Sequence, residues 1–244
     1  MNKAKTRLRA AGLAKSYRGR RVVDGITFEI NSGEVLGMLG PNGAGKTTTF
    51  YVLVGLVAAE QGEIYIDNDR IDHLPMWERA RRGITYLPQE PSIFRGMTVE
   101  ENLMAIAEIS NLAADERGKV VERLLDDFGI KRLRDQAATT LSGGERRRTE
   151  IARSLVINPS FILLDEPFTG IDPLAIAEIK ELVRDLKNRG IGVVITDHNV
   201  RETLKICDRA LIINQGKSLI EGRPEQIVSS ELARKFYLGE EFSL

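Results

Sequence analysis

Eight consecutive residues limit what this chain can become more than any others. Gly40-Pro41-Asn42-Gly43-Ala44-Gly45-Lys46-Thr47 fits Gly-x4-Gly-Lys-Ser/Thr and lies between a β-rich run, Glu34 to Leu39, and a helical stretch, Thr47 to Gly55. A strand that turns through glycines into a helix start makes an anion trap. Backbone N–H groups curl around phosphate oxygens, the helix end adds positive potential, Lys46 neutralises β/γ charge and Thr47 offers a hydroxyl to Mg²⁺. A plain glycine-rich turn would account for the glycines but not for Lys46 and Thr47 in register.

The rest of the pattern agrees with an α/β chain. Short β-rich runs occur at Val22 to Ile30, Glu34 to Leu39, Glu63 to Ile66, Gly83 to Leu87, Phe161 to Leu164, Gly192 to Thr196 and Arg209 to Ile213, several of them alternating with helical stretches. Between about residues 90 and 138 the character changes. Val99 to Ile109 and Glu116 to Phe128 have helical period, and Thr98 with Glu101 forms a Thr-x-x-Glu capping box at the start. This predicts one domain over 1–244, with about 1–89 and 139–244 as core and about 90–138 as an inserted helical subdomain.

Composition narrows the function classes. The 244 residues include 42% hydrophobic and 29% charged side chains, which suits an ordered globular chain. Thirty-five Lys and Arg balance thirty-five Asp and Glu, so no bulk field draws the chain to nucleic acid or anionic lipid. Cys207 is alone and the only histidines are His73 and His198, which excludes an intrachain disulfide and a Cys/His zinc site, and fits a reducing cytosol. No apolar stretch approaches the ~18 residues needed to span a bilayer. The basic start Met1-Asn2-Lys3-Ala4-Lys5 leads into no signal-peptide block, so the expectation is a soluble, unprocessed chain that meets a membrane only by docking on something that spans it.

Two further clusters carry chemistry. Phe161-Ile162-Leu163-Leu164 is an apolar run ending in Asp165-Glu166, which puts two carboxylates at the carboxyl end of a buried strand, the edge where doubly wound sheets hold ligands. Asp165 is placed to hold Mg²⁺ and Glu166 to polarise an attacking water. In Leu141-Ser142-Gly143-Gly144-Glu145, Ser142 reads as an N-cap and Glu145 as its capping-box partner, followed by a periodic helix from Arg146 to Ile157. Two glycines in a first turn cost ~1 kcal/mol each relative to Ala, which points to a close backbone approach and a second phosphate contact.

With these residues in view, the chain resembles the nucleotide-binding subunits of ABC transporters over almost all of its length. The resemblance matches the P-loop to Gly40 through Thr48, the Q-loop to Gln89, the signature to Leu141 through Glu145 and the Walker B strand to Phe161 through Glu166. It matches the D-loop to Gly170-Ile171-Asp172, the switch histidine to His198 and the adenine-stacking aromatic to Tyr17. It implies a P-loop NTPase fold of ABC type, with a RecA-like core, an antiparallel β subdomain and the inserted helices. It also implies ATP and Mg²⁺ as ligands, with Gly40 to Thr48, Tyr17, Ser142, Gly143 and Gly144 on the nucleotide, Thr47, Gln89 and Asp165 on the metal, and Glu166, His198 and Gln89 in catalysis. Head-to-tail homodimers and integral membrane subunits are the implied partners. Glu145 departs from the usual signature Gln; a capping box accepts either, while the local charge changes.

Within the family, Leu87 to Phe94, Leu141 to Arg148, Thr196 to Leu204 and the ending Tyr237 to Phe242 are similar to ATPases of lipopolysaccharide exporters, with branched-chain amino-acid importers sharing much of the framework. Tyr17 reads equally as a half-buried strand residue. Ile93 and Phe94 have no period to bury them, so an exposed docking patch is expected beside a core-filling alternative for Phe94. Arg146, Arg147 and Arg148 read as a solvated helix face rather than a nucleic-acid patch. Asp172 before Pro173, and Asn199 with Glu202, read as helix starts. The tail from Tyr237 to Leu244 is expected to pack back on the domain or its twin.

Overall fold

The computed structural model describes residues 5–170, 173–239 and 241–242. Two long antiparallel strands, β1 (Arg7–Tyr17) and β2 (Arg20–Asn31), precede β3 (Val35–Leu39) and α1 (Lys46–Val54). Then β4 (Gln61–Ile66) and β5 (Asp69–Arg70) return to the first pair, giving a four-stranded sheet in the order β2-β1-β4-β5. After α2 (Met76–Arg81) and β6 (Ile84–Leu87) come three helices, α3 (Val99–Ile109), α4 (Ala114–Asp127) and α5 (Gly143–Leu155). The remaining elements are β7 (Phe161–Asp165), α6 (Pro173–Asn188), β8 (Gly192–Thr196), α7 (Val200–Leu204), β9 (Arg209–Asn214), β10 (Lys217–Gly222), α8 (Pro224–Ser229) and α9 (Glu231–Ala233). The second sheet runs β10-β9-β3-β8-β7-β6, parallel from β9 to β6 and antiparallel at β10.

Continuous apolar runs suit this sheet because both of its faces are covered. Along β7, Phe161 and Leu163 enter the core shared with the antiparallel sheet and α1, while Ile162 and Leu164 enter the core shared with α3, α4, α5 and α6. The same alternation sends Leu36 and Met38 one way and Val35 and Leu39 the other. The two cores hold α1 at one face and the helical layers at the other, so the carboxyl ends of β3, β7 and β8 are fixed relative to both.

The cap readings hold. Thr98 and Ser142 each accept from the backbone N–H three residues on, and Glu101 and Glu145 return the bond. Asn199 accepts from Glu202 N at the start of α7. Asp172 and Ile171 lie outside the described residues. In the tail, Tyr237, Leu238 and Phe242 pack against the larger core, and the Arg201 guanidinium lies 5.7 Å from the Phe242 ring centroid.

Three features differ from the expectations. Ile93 is 7% exposed, in the core, because two backbone N–H groups of its segment are tied down by Glu150. The basic run is not a solvated face. Arg147 is largely buried against Glu150 and Arg148 donates to Glu178, because α5 packs against α3, α4 and β6 and is covered well beyond its apolar stripe. The sequence pattern does not mark strands β1, β5 and β10: β1 is rich in Ala and breaks its alternation near Gly12, β5 is two residues long, and β10 is a half-exposed edge.

Candidate active site

The loop between β3 and α1 is shaped by its glycines and then by one buried cation. Gly45 caps α1 in a left-handed conformation, φ 108°, and a Cβ there would lie 2.5 Å from Val22 O, so no other residue fits. The first turn of α1 has no side-chain cap and no acidic residue, the arrangement that an anion complements. Lys46 is 5% exposed and donates from Nζ to Gly40 O at 2.7 Å and Pro41 O at 3.1 Å. Burial lowers its pKa, against the pull of Glu166, Asp165 and Asp197. A buried ammonium with only neutral oxygen partners and carboxylates close by fits polyphosphate.

The carboxylates come from the ends of β7 and β8. Asp165 is buried; Thr196 Oγ1 donates to its Oδ1 at 2.5 Å and the Tyr86 hydroxyl to its Oδ2 at 3.1 Å. Burial raises its pKa, partly offset by those two hydrogen bonds. Glu166 has φ 48°, a left-handed conformation that costs a non-glycine residue ~1–3 kcal/mol and turns its side chain away from the strand register. Its N–H donates to Thr196 O at 2.8 Å. Its Oε1 lies 2.6 Å from His198 Nε2. Asp197 accepts from Phe168 N and Asn199 N, both at 2.7 Å, and so braces the turns that carry Glu166 and His198; burial raises its pKa too.

One cleft is lined by Val22, Asn42 to Thr48, Gln89, Glu166 and His198. An adjoining cleft shares Gln89 and Glu166 with it and reaches Gly143, Gly144 and Gly170. The structure thus brings the P-loop, Gln89, Glu166 and His198 together. Asp165 stands behind them, and Ser142 is exposed at the cap of α5. Tyr17 lies at the exposed end of β1 with the Lys15 ammonium 5.8 Å from its ring centroid, and it is not among the residues lining either cleft. Among the described residues no group of three or more His, Cys, Asp or Glu side chains has metal-holding geometry. The Thr47 hydroxyl and the Asp165 carboxylate are hard oxygen donors of the kind that Mg²⁺ takes. The sequence pattern gives Tyr86, Thr196 and Asp197 no site role. Thr196 and Asp197 stand directly before His198, which is a usable signal; Tyr86 reaches Asp165 only through strand pairing.

Past Gln89, the chain has no regular structure yet is firmly held. Glu150 Oε1 accepts from Ser92 N and Ile93 N, Asn102 bonds both the N–H and the carbonyl of Phe94, and Arg153 bonds Ser92. Phe94 remains 41% exposed with the Arg153 guanidinium 4.4 Å from its ring centroid. It lines an apolar cleft with Met76, Tyr86, Ile106 and Arg153.

Comparison with known proteins gives the family and the fold. Residues 23–169 match the ABC transporter family. The lipopolysaccharide export system ATP-binding protein LptB of Haemophilus influenzae is 56% identical, over 97% of this chain and 99% of that protein. The LptB of Escherichia coli K12 is 54% identical over the same shares. An ATP-binding cassette of an ABC transporter, solved in its ADP conformation, superposes with a TM-score of 0.85 at 30% identity, covering 96% of this chain and 99% of that one. The chain belongs to the ABC transporter family, among its ATP-binding cassettes.

Proposed function

We propose that this chain is the ATP-hydrolysing motor of a lipopolysaccharide-exporting ABC transporter. The observation that carries the cargo is the 54–56% identity to LptB proteins over nearly the whole of both chains. The chemistry rests on the cleft. Lys46 and the backbone of Gly40 to Thr48 bind the phosphates; Tyr17, which lines neither cleft, is assigned to the adenine by its place in the family pattern. Thr47, Gln89 and Asp165 would hold Mg²⁺, which would supply positive charge against the phosphates. Glu166 takes the proton of the attacking water, and His198 holds the Glu166 carboxylate and the γ-phosphate side of the site.

Ser142, Gly143 and Gly144 serve the nucleotide of a second copy, so the active unit is a head-to-tail homodimer. Open space at Gly143, where a Cβ would meet nothing within 4 Å, supports an approach from outside the chain. We take about 1–89 and 139–244 as the core and about 90–138 as the helical subdomain. Nucleotide-driven motion of that subdomain moves the segment from Gln89 to Phe94, which docks on LptF- and LptG-like membrane subunits accompanied by an LptC-like one. Among the described residues no helix is long and apolar enough to cross a membrane. The chain works in the cytoplasm, peripheral on the inner face of the inner membrane, without a nucleic-acid partner.

The rival reading is the motor of a branched-chain amino-acid importer; a free-standing ABC ATPase is a third. Purification of the tagged chain from membranes, identification of the bound subunits, and reconstitution of that complex with lipopolysaccharide in vesicles separates them. The expected result is ATP-dependent release of lipopolysaccharide. Copurification with amino-acid permeases, or ATP hydrolysis with no release, overturns the proposal.

A further inference from the structure

Asp165 is gripped from both flanking strands. Thr196 lies beside it on β8, directly paired. On the other side Tyr86 pairs with Leu163, two residues earlier on β7, and therefore projects on the same sheet face as Asp165. Its hydroxyl donates to Asp165 Oδ2 at 3.1 Å. The ring stands edge-on to Phe50 and Tyr51 of α1, with centroids 6.4 and 6.1 Å away and interplanar angles of 83° and 89°. Tyr86 is also among the residues lining the apolar cleft that contains Phe94. One side chain thus touches both the carboxylate and the helix that follows the phosphate loop.

Mg²⁺ demands near-ideal octahedral geometry, so a carboxylate that serves it must be held in one orientation. Groups hydrogen-bonded to metal ligands supply that orientation. We propose that Tyr86 is a positioning residue for Mg²⁺, its hydroxyl fixing the rotation of the Asp165 carboxylate while the rings of α1 fix the hydroxyl. This rests on the assignment of Asp165 to the metal made above. In this role Tyr86 acts through Asp165 and contributes no ligand of its own.

The test uses the full chain and Tyr86→Phe, which removes one oxygen and keeps the ring contacts. Binding of a non-hydrolysable ATP analogue is measured by calorimetry in EDTA and then across a Mg²⁺ titration, with thermal melting alongside. The expected result is a Mg²⁺ midpoint raised by about 3- to 10-fold in the variant, the size of one lost hydrogen bond, with affinity in EDTA within 2-fold of the parent. A merely structural tyrosine would instead lower melting and weaken binding equally with and without Mg²⁺, and that outcome overturns the proposal. So does an unmoved midpoint. If the parent chain binds the analogue equally with and without Mg²⁺, the metal assignment itself fails and takes this inference with it, a result distinguishable from the other two.

Discussion

His198 Nε2 lies 2.6 Å from Glu166 Oε1, across the gap between the ends of β7 and β8. Neither side chain reaches the other by chance. Glu166 is turned out of the strand by its left-handed backbone, and His198 is aimed by the turn that Asp197 braces with two backbone hydrogen bonds. Under the proposed function, this pair is where a water attacking the γ-phosphate loses its proton and where the histidine registers the phosphate.

Removal of that imidazole separates binding from chemistry. For His198→Ala we expect nucleotide affinity within about 3-fold of the parent and turnover lowered at least about 10-fold, the pattern of an interaction made chiefly in the transition state. Equilibrium binding and steady-state ATPase on one preparation check this. An equal loss in both would make the histidine a structural residue.

The departure at Glu145 is a matter of caps and charge. Its carboxylate bonds the Ser142 N–H and hydroxyl and pairs with Arg132 at 2.7 Å, and the Ser142 hydrogen bonds, then Arg132, hold its pKa below the usual carboxylate range. Glu145→Gln keeps the reciprocal cap and loses only the ion pair with a largely exposed arginine. We expect a stability change under about 1 kcal/mol. Glu145→Ala breaks the box and should cost about 1 kcal/mol more. Urea unfolding of both variants checks the order; equal losses would assign the effect to charge.

Phe94 is exposed enough that truncation leaves no cavity. Phe94→Ala should melt within about 1 kcal/mol of the parent and keep its soluble ATPase. Assembly with membrane subunits should weaken by about 2 to 4 kcal/mol through loss of an aromatic anchor. Pull-down from membranes beside thermal melting distinguishes this from a core role, in which melting would fall and assembly would survive.

The tail is a structural part of the domain. Tyr237, Leu238 and Phe242 pack on the main core, and burial pushes the Tyr237 phenol up to about 12. A chain ending after Lys235 should lose about 2 to 4 kcal/mol of apolar burial. Chemical denaturation measures it, and unchanged stability would show that the packing contributes nothing.

What could be read ahead of the structure was local. The phosphate loop, the Asp165-Glu166 pair and both capping boxes are each written within a few residues, and each forms where the spacing places it. What escaped depends on residues far apart. Tyr86 reaches Asp165 only because β6 pairs with β7, a register that no window of sequence contains. Ile93 looked exposed because nothing near it buries it; Glu150, 57 residues on, holds it in. Arg147 looked solvated for the same reason, its partner Glu150 being buried by packing around α5. Gly12 hid β1 by breaking the alternation that marks a strand.

The central claim is that each ATP site is built from two chains, with Lys46 on one and Ser142 on the other. Lys46→Ala and Ser142→Arg chains, both also carrying Glu166→Gln to prevent hydrolysis, test it when trapping of radiolabelled ATP is measured for each alone and for the mixture. Neither homodimer has a complete site, whereas every mixed dimer has one. The account predicts little trapping by either variant separately and clear trapping by the mixture, with both chains eluting as one dimer. A mixture that traps no more than the sum of its parts, or a Ser142→Arg chain that traps fully on its own, would contradict it.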